Sequence, residues 1–244
     1  MTKESLAILA GGLGTRAREL TRGKHKSLIK LPDGLSIIER VLCQAKSNNI
    51  QKAYIVSDRS QNFGIFEEVL GIATQKNIEA ISVNQEISKF YGTMFALALI
   101  CTTVPADENV IAFEGDVVVS NAAATKIFET KPNTFIIDNV PKEDDESMKA
   151  VICDGKIKKF SKQITGYPEF CGISHLNYEI RKRYNLESKK VTTRNPYYEE
   201  VFNSLAEAGA KLSYTSISES EWNEVDDKND YIETTRKFNS WNTI

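Results

Sequence analysis

The segment Leu6-Ala7-Ile8-Leu9-Ala10-Gly11-Gly12-Leu13-Gly14-Thr15-Arg16, followed ten residues after Arg16 by Lys26, decides the fold. Its first half is a short apolar run stopped by glycine, the pattern of a strand buried on both faces of a parallel sheet. Open α/β sheets bind ligands beyond the C-terminal ends of such strands, and that is where Gly11, Gly12 and Gly14 stand. Glycines there let successive main-chain N–H groups close on an oxyanion with no Cβ in the way. Between Thr15 and Leu31 six cationic residues, Arg16, Arg18, Arg22, Lys24, Lys26 and Lys30, stand against one carboxylate, Glu19, a local charge of about +5 in a chain whose net charge is −2. Arginine adds a planar fork of donors and lysine a mobile point charge, so the stretch reads as an anion cradle.

Working outward, short apolar runs alternate with helix patterns. Ser36-Ile37-Ile38-Glu39 is a capping box, and Ile37, Ile38, Val41, Leu42 and Ala45 follow helical spacing, which predicts a helix over 36–48. Strands are expected at 53–57, 80–83, 110–113 and 134–138, with helices at 63–71, 91–101 and 122–130; Leu28 to Leu31 is a further apolar piece ended by Pro32-Asp33-Gly34. That order implies an α/β fold, a three-layer α/β/α Rossmann-like arrangement with a mainly parallel sheet. After Asn139 the pattern changes to a carboxylate-rich loop (141–146), a hairpin turning at Asp154-Gly155, and a strand at 170–173. Helices at 176–184 and 196–208, the second opened by Pro196, strands at 210–214 and 222–225, and a terminal helix at 227–238 complete the chain. We expect one domain over 1–244, in three parts: 1–139, a smaller lobe over 140–221, and a final strand and helix over 222–244.

A near-neutral balance over 244 residues argues against a general nucleic-acid binder, since only the glycine loop is basic. The four cysteines, Cys43, Cys101, Cys153 and Cys171, have no CxxC spacing, and with two histidines in the chain a structural zinc site is not expected. No stretch approaches the length of a membrane helix, and the apolar run at the N-terminus is too short for a signal-peptide core, so no membrane insertion and a cytoplasmic location are expected.

Gly12-x-Gly14-x-x-Ala17 formally matches the dinucleotide fingerprint, which requires a long helix directly after the glycines. Here repeated cations follow, and Gly23 comes six residues after Ala17, which suits a triphosphate better. Gly11-Gly12-Leu13-Gly14-Thr15-Arg16 with Lys26 resembles the signature of the sugar-nucleotidyltransferase superfamily, a GGxGTR loop followed by a proline-lysine pair. Two residues depart from it: Glu19 and His25 stand where proline is usual. Glu114-Gly115-Asp116 resembles the glycine-aspartate pair whose carboxylate holds Mg²⁺ in that family, and Trp222-Asn223-Glu224-Val225-Asp226 resembles its C-terminal motif, which supplies a second aspartate.

The resemblance implies transfer of a nucleotidyl group to a phosphate oxygen, with expulsion of pyrophosphate. It implies Mg²⁺ held by Asp116 and Asp226, Arg16 facing the leaving pyrophosphate, and Lys26 between the α-phosphate and the acceptor's phosphate. Leu9, Ala10, Gly11, Gly12, Gly14 and Thr15 would cradle the nucleotide, and Gly92 and Thr93 would meet its base or ribose. Lys162 resembles a second lysine used on the acceptor phosphate, although Lys156, Lys158, Lys159 and Lys162 also read as one solvated hairpin face.

The short second half is similar to the small cytidylyltransferases that activate phosphocholine, aminoethylphosphonate or phosphoglutamine-type acceptors, enzymes of surface glycan or lipid decoration. On that likeness Glu169, Tyr197 and Glu199 join Lys162 around an amine-bearing acceptor, because carboxylates beside aromatics suit a cationic head group. Tyr197 and Glu199 equally read as the start of an amphipathic helix. CTP is the expected donor and a homodimer is possible; the alternatives are a sugar-1-phosphate nucleotidyltransferase using UTP, dTTP or GTP, and a catalytically silent nucleotide-binding subunit.

Overall fold

The computed structural model describes residues 3–11, 16–21, 24–57, 63–85, 92–193 and 196–241. In chain order these form Lys3–Leu9 (β1), Arg18–Thr21 (α1), Ile37–Ser47 (α2), Lys52–Ser57 (β2), Phe63–Gln75 (α3), Glu79–Asn84 (β3), Thr93–Thr103 (α4), Glu108–Glu114 (β4), Val117–Val119 (β5), Asn121–Phe128 (α5) and Thr134–Lys142 (β6). The second half adds Lys149–Cys153 (β7), Lys156–Ser161 (β8), Tyr167–Leu176 (β9), Tyr178–Ser188 (α6), Tyr198–Glu207 (α7), Ser213–Ser216 (β10), Trp222–Glu224 (β11) and Lys228–Trp241 (α8). The main sheet runs β10-β6-β9-β4-β1-β2-β3, with the β7–β8 hairpin attached to β9. Along this order β9 alone is antiparallel to its neighbours, so the sheet is mixed and mainly parallel, as the alternation of strands and helices implies.

Because side chains alternate across a strand, β1 feeds two cores. Leu6 and Ile8 pack with Ile38 and Leu42 of α2, Val69 of α3 and Ile127 of α5. Ala7 and Leu9 face the other way, among Leu97 of α4, Tyr184 of α6 and Phe202 of α7. A third cluster, Ile29, Leu31, Val118, Val225 and Phe238, seats α8 over β5 and β11. The sheet is therefore covered on both faces while its strand ends stay open for a site. No helix among the described residues is long and apolar enough to cross a membrane.

Local signals explain most boundaries. Ser36 and Glu39 form both arms of the capping box at the start of α2. The β7–β8 hairpin turns at Asp154 (φ 51°) and Gly155 (φ 68°), the left-handed pair that a two-residue turn requires.

The apolar piece Leu28 to Leu31 forms no strand: Lys26–Leu28 is a 3-10 turn, and Lys30 makes only an isolated bridge to Ser36, because the turn at Pro32 brings the chain back at once. Other elements depart from the sequence expectation. β5 follows β4 after a two-residue turn that sequence periodicity cannot resolve. α7 begins at Tyr198, since the Pro196 carbonyl is committed to the Met94 N–H at the start of α4. β10 begins at Ser213 and not at Ala210: Gly209 (φ 81°) ends α7, and the Ala210 N–H returns 2.9 Å to the Leu205 carbonyl.

Candidate active site

The ends of β1 and β4 lie side by side, with Leu9 opposite Glu114. Just past them the Gly115 N–H donates to the Leu9 carbonyl at 3.1 Å, and a Cβ at Gly115 would lie 3.0 Å from that oxygen and 3.1 Å from Ala10 Cα. Any side chain at Gly115 would crowd this approach, which leads the chain directly into Asp116. The two-stranded sheet of β5 and β11 then brings in the far end of the chain: Glu224 pairs Val117, and the Val225 N–H donates to the Asp116 carbonyl at 3.0 Å. Asp226 follows directly.

Lys26 enters from a third direction, at the head of the 3-10 turn. His25 is extended before it (φ −70°, ψ 147°), and its Nδ1 accepts the Ser27 N–H at 3.2 Å. Proline would fix nearly the same φ. His25 therefore keeps the conformation that proline gives the family, and adds a cap.

At the meeting point Lys26 Nζ donates to Asp116 Oδ2 and, at 2.9 Å, to Asp226 Oδ1, while Arg16 Nη2 donates to Asp226 Oδ2. The Asp116 side chain is 5 % exposed and that of Lys26 15 %, whereas Arg16 reaches in from solvent. Gly12, Gly14 and Thr15 lie outside the described residues. Leu9 and Ala10 are buried, and the side chain of Gln85 lies against Gly11 and donates to the Gly92 carbonyl at 3.2 Å. Gln85 thus joins the glycine loop to the turn that starts α4.

Two further carboxyl groups, Glu114 and Glu224, to which the motifs assign no role, belong to this centre. Glu114, Asp116 and Glu224 each offer an oxygen within 4.8 Å of the others. The signal was present in both motifs, since Glu114 and Asp116, like Glu224 and Asp226, are two residues apart at a strand end. Burial, and then the Asp116 charge, push the Glu114 carboxyl up to about 7, against the donated Tyr198 hydroxyl. The same two causes, with Glu114, hold Glu224 well above the carboxylate range. Burial works against the Lys26 charge, yet Asp116 and Asp226 overcome it and hold the ammonium above its ordinary range. Lys26, with Arg16 at the Asp226 side, thus offsets the cluster, and Glu114 and Glu224 resist ionisation beside it.

Beside this centre a cleft of about 830 Å³ opens between Arg16, Glu224 and Asp226 on one side and Lys162, Glu169 and the loop 144–147 on the other. Lys162 stands over the Tyr197 ring, Nζ 5.3 Å from its centroid, so these two predicted acceptor residues do meet. Glu169 lines the same cleft, 3.9 Å from Lys142, which also pairs with Asp138 at 3.0 Å and with Glu219. Glu199 is placed differently: it is 5 % exposed, stands behind the cleft wall, and burial and Glu114 push its carboxyl up to about 8. Thr93 is committed as well, its Oγ1 accepting the Tyr198 N–H at 3.3 Å, which ties the starts of α4 and α7 together. Gly92 (φ 124°) precedes α4 in a conformation closed to other residues.

Residues 6–240 match the sequence profile of the family described as Nucleotidyl transferase. Among solved structures the chain is similar to the inositol-1-phosphate CTP transferase from T. maritima, with a TM-score of 0.77, 17% identity, and 97% of this chain and 96% of that one covered. It is likewise similar to a putative glucose-1-phosphate thymidylyltransferase from Bacillus anthracis (TM-score 0.74, 18% identity, 96% and 94% covered). The CTP:phosphocholine cytidylyltransferase from Streptococcus pneumoniae is a third such structure (TM-score 0.73, 16% identity, 97% and 99% covered). No curated protein matches the chain by sequence.

Proposed function

The chain belongs to the nucleotidyl transferase family, and from that premise we propose that it transfers the cytidylyl group of CTP to a small phosphorylated, amine-bearing acceptor. An acceptor phosphate oxygen attacks the α-phosphorus, the bond to the β-phosphate bridging oxygen breaks, and pyrophosphate leaves with the electron pair. The attacking phosphate is already ionised, so no general base is needed. The catalyst must instead screen like charges and hold three atoms in line.

Lys26 answers the first need, because an ammonium at this centre can sit between the α-phosphate and the incoming phosphate. Arg16 is assigned to the leaving pyrophosphate and the Leu9-Ala10-Gly11 backbone, with Gly12, Gly14 and Thr15, to the triphosphate. Gly92 and Thr93 are assigned to the nucleoside, and Lys162 to the acceptor phosphate. Glu169 and Tyr197 face the acceptor's cationic end, with Glu199 behind them.

An oxygen-only donor set suits Mg²⁺, and Asp116 Oδ1 is buried with no hydrogen-bond partner, so the residues present fit such an ion. Asp116 and Asp226 would hold it, with Glu114 and Glu224 beside them. When bound, it neutralises charge developing on the phosphate oxygens.

The observation that carries the acceptor assignment is the lining of the cleft, where eight carboxyl groups besides Glu224 and Asp226 at the proposed metal site stand against five cationic side chains. Such a wall favours an ammonium over a neutral sugar. The deciding experiment is a matrix of CTP, UTP, dTTP and GTP against phosphocholine, aminoethylphosphonate, phosphoglutamine and hexose 1-phosphates, read by pyrophosphate release. CTP with an amine-bearing phosphate should lead. A hexose 1-phosphate that outperforms every amine overturns the acceptor, and nucleotide binding without any turnover overturns the enzyme. A product of this kind would serve surface glycan or lipid decoration.

A further inference from the structure

Lys149, the first residue of β7, is fully buried, yet its ammonium touches no substrate-facing surface. Nζ donates to the carbonyls of Asp144 at 2.5 Å, Ser147 at 2.9 Å and Lys162 at 3.2 Å. An ammonium has three N–H donors, and here each has an acceptor. Burying the charge is costly unless it is hydrogen-bonded and compensated in this way.

The compensation includes the Asp144 carboxylate. The Ser147 N–H, the Ser147 hydroxyl and the Glu146 N–H hold it down to about 2, with the Lys149 charge contributing.

The three carbonyls belong to two separate segments, and both line the cleft: the loop 144–147 and the end of the β8 strand at Lys162. The Lys149 backbone also pairs in register with Glu169, and the neighbouring Met148 carbonyl accepts the Phe170 N–H at 2.7 Å. The acidic loop, Lys162 and Glu169 therefore meet at a single residue. An apolar side chain would fill the space but leave three carbonyls unpaired, and among the described residues the loop would then be joined to Lys162 through the β7–β8 ladder, where Lys149 stands opposite Ser161, without a side chain that bonds both.

We propose that Lys149 is a positioning residue that fixes the separation between Lys162 and the carboxylates of loop 144–147, and thereby the length of phosphorylated amine that the cleft accepts. The proposal rests on the acceptor reading above. If Lys162 takes the phosphate, and Glu169 with the loop beside it the ammonium, the spacing between them is a ruler, and Lys149 is what holds it.

The test uses Lys149→Met and Lys149→Gln, the second keeping two donors, with CTP and phosphocholine as probes. KM for phosphocholine should rise about tenfold or more in Lys149→Met and less in Lys149→Gln, while KM for CTP stays unchanged. If Lys149 acts through Lys162, adding Lys149→Met to Lys162→Ala should cost nothing further; multiplicative losses overturn the proposal.

Hydrogen exchange gives a readout that needs no acceptor. In Lys149→Met the amides of 143–148 and 161–163 should exchange faster while those of 26–31 and 110–118 keep their protection. Exchange that rises across the whole sheet, or nowhere, overturns the proposal, as does loss of CTP binding in both variants, which would make Lys149 a plain folding residue. Should the wild-type protein not use phosphocholine at all, that acceptor assignment fails, and exchange still decides Lys149.

Discussion

Lys26 Nζ stands 2.9 Å from Asp226 Oδ1 and bonds Asp116 as well, so one ammonium ties the start of the chain to both strands of the β5–β11 pair at one end. Replacing it with methionine should lower turnover by about 10²–10³-fold or more, read by pyrophosphate release, because the charge facing both phosphates is lost. It should also leave Asp116 unpaired, and Asp226 with Arg16 alone, among Glu114 and Glu224. In metal-free buffer the variant should lose about 3 kcal/mol of stability, read by urea denaturation, and Mg²⁺ should restore part of it. An unchanged urea midpoint would show that the ion pair carries no stability.

Gly115 holds β1 and β4 together above this centre. In Gly115→Ala the new Cβ meets the Leu9 carbonyl at 3.0 Å and Ala10 Cα at 3.1 Å, both backbone atoms that yield only if the strands part. We expect a loss of about 1–3 kcal/mol and a disproportionate loss of turnover, since Asp116 moves with the strand. Gly172→Ala tests the same wall from β9: Gly172 has φ 67°, and its Cβ would lie 3.2 Å from Glu114 Cδ. A variant at either position that keeps wild-type activity and stability would show that the contact is slack.

Much of this arrangement is legible in the sequence because its signals are local. A strand ending in glycine, a capping box at Ser36 and the Asp154-Gly155 turn each act within a few residues, and each forms where its pattern lies. What was not legible depends on partners far along the chain. β5 is three valines whose strand character comes from pairing with β11 more than a hundred residues later. Glu199 reads as an acceptor residue from the family likeness and as a helix start from its own pattern, and its burial beside Glu114 comes from the packing of α7. Lys149 looks like one more hairpin lysine, and its burial follows from carbonyls that the sequence does not reveal.

Arg181 supplies a control at the opposite end of the sheet. Fully buried, it donates to the carbonyls of Val104 at 2.9 Å, Pro105 at 2.8 Å and Glu108 at 2.7 Å, closing the chain between α4 and β4. Arg181→Met leaves these carbonyls without their donors and should cost about 3 kcal/mol or more, seen as a lower melting temperature. The folded fraction should keep its kcat and both KM values. A selective change in kcat would mean that this end of the sheet communicates with the site.

On the proposed acceptor reading, Glu169 should make the acceptor step pH-dependent. Burial pushes its carboxyl up to about 7, although the Lys142 charge and the Ser147 hydroxyl draw it down and Asp138 and Asp144 add repulsion. Its folded pKa lies above the unfolded value, so the folded state holds the proton more tightly, and the stability this contributes below the unfolded pKa is lost as pH rises towards 7. The ionised form pairs with an ammonium, so the effect on binding has the opposite direction: KM for phosphocholine should fall by up to about tenfold per pH unit below 7 and level off above it. The acceptor phosphate has its own second ionisation near about 6, which contributes to the wild-type profile. Glu169→Gln separates the two. It should keep the phosphate's part, lose the step near 7, and show a weaker, flatter KM for phosphocholine with KM for CTP unaltered. An identical pH profile in Glu169→Gln would remove Glu169 from the acceptor site and leave the loop 144–147 as the remaining carboxylate partner on that wall.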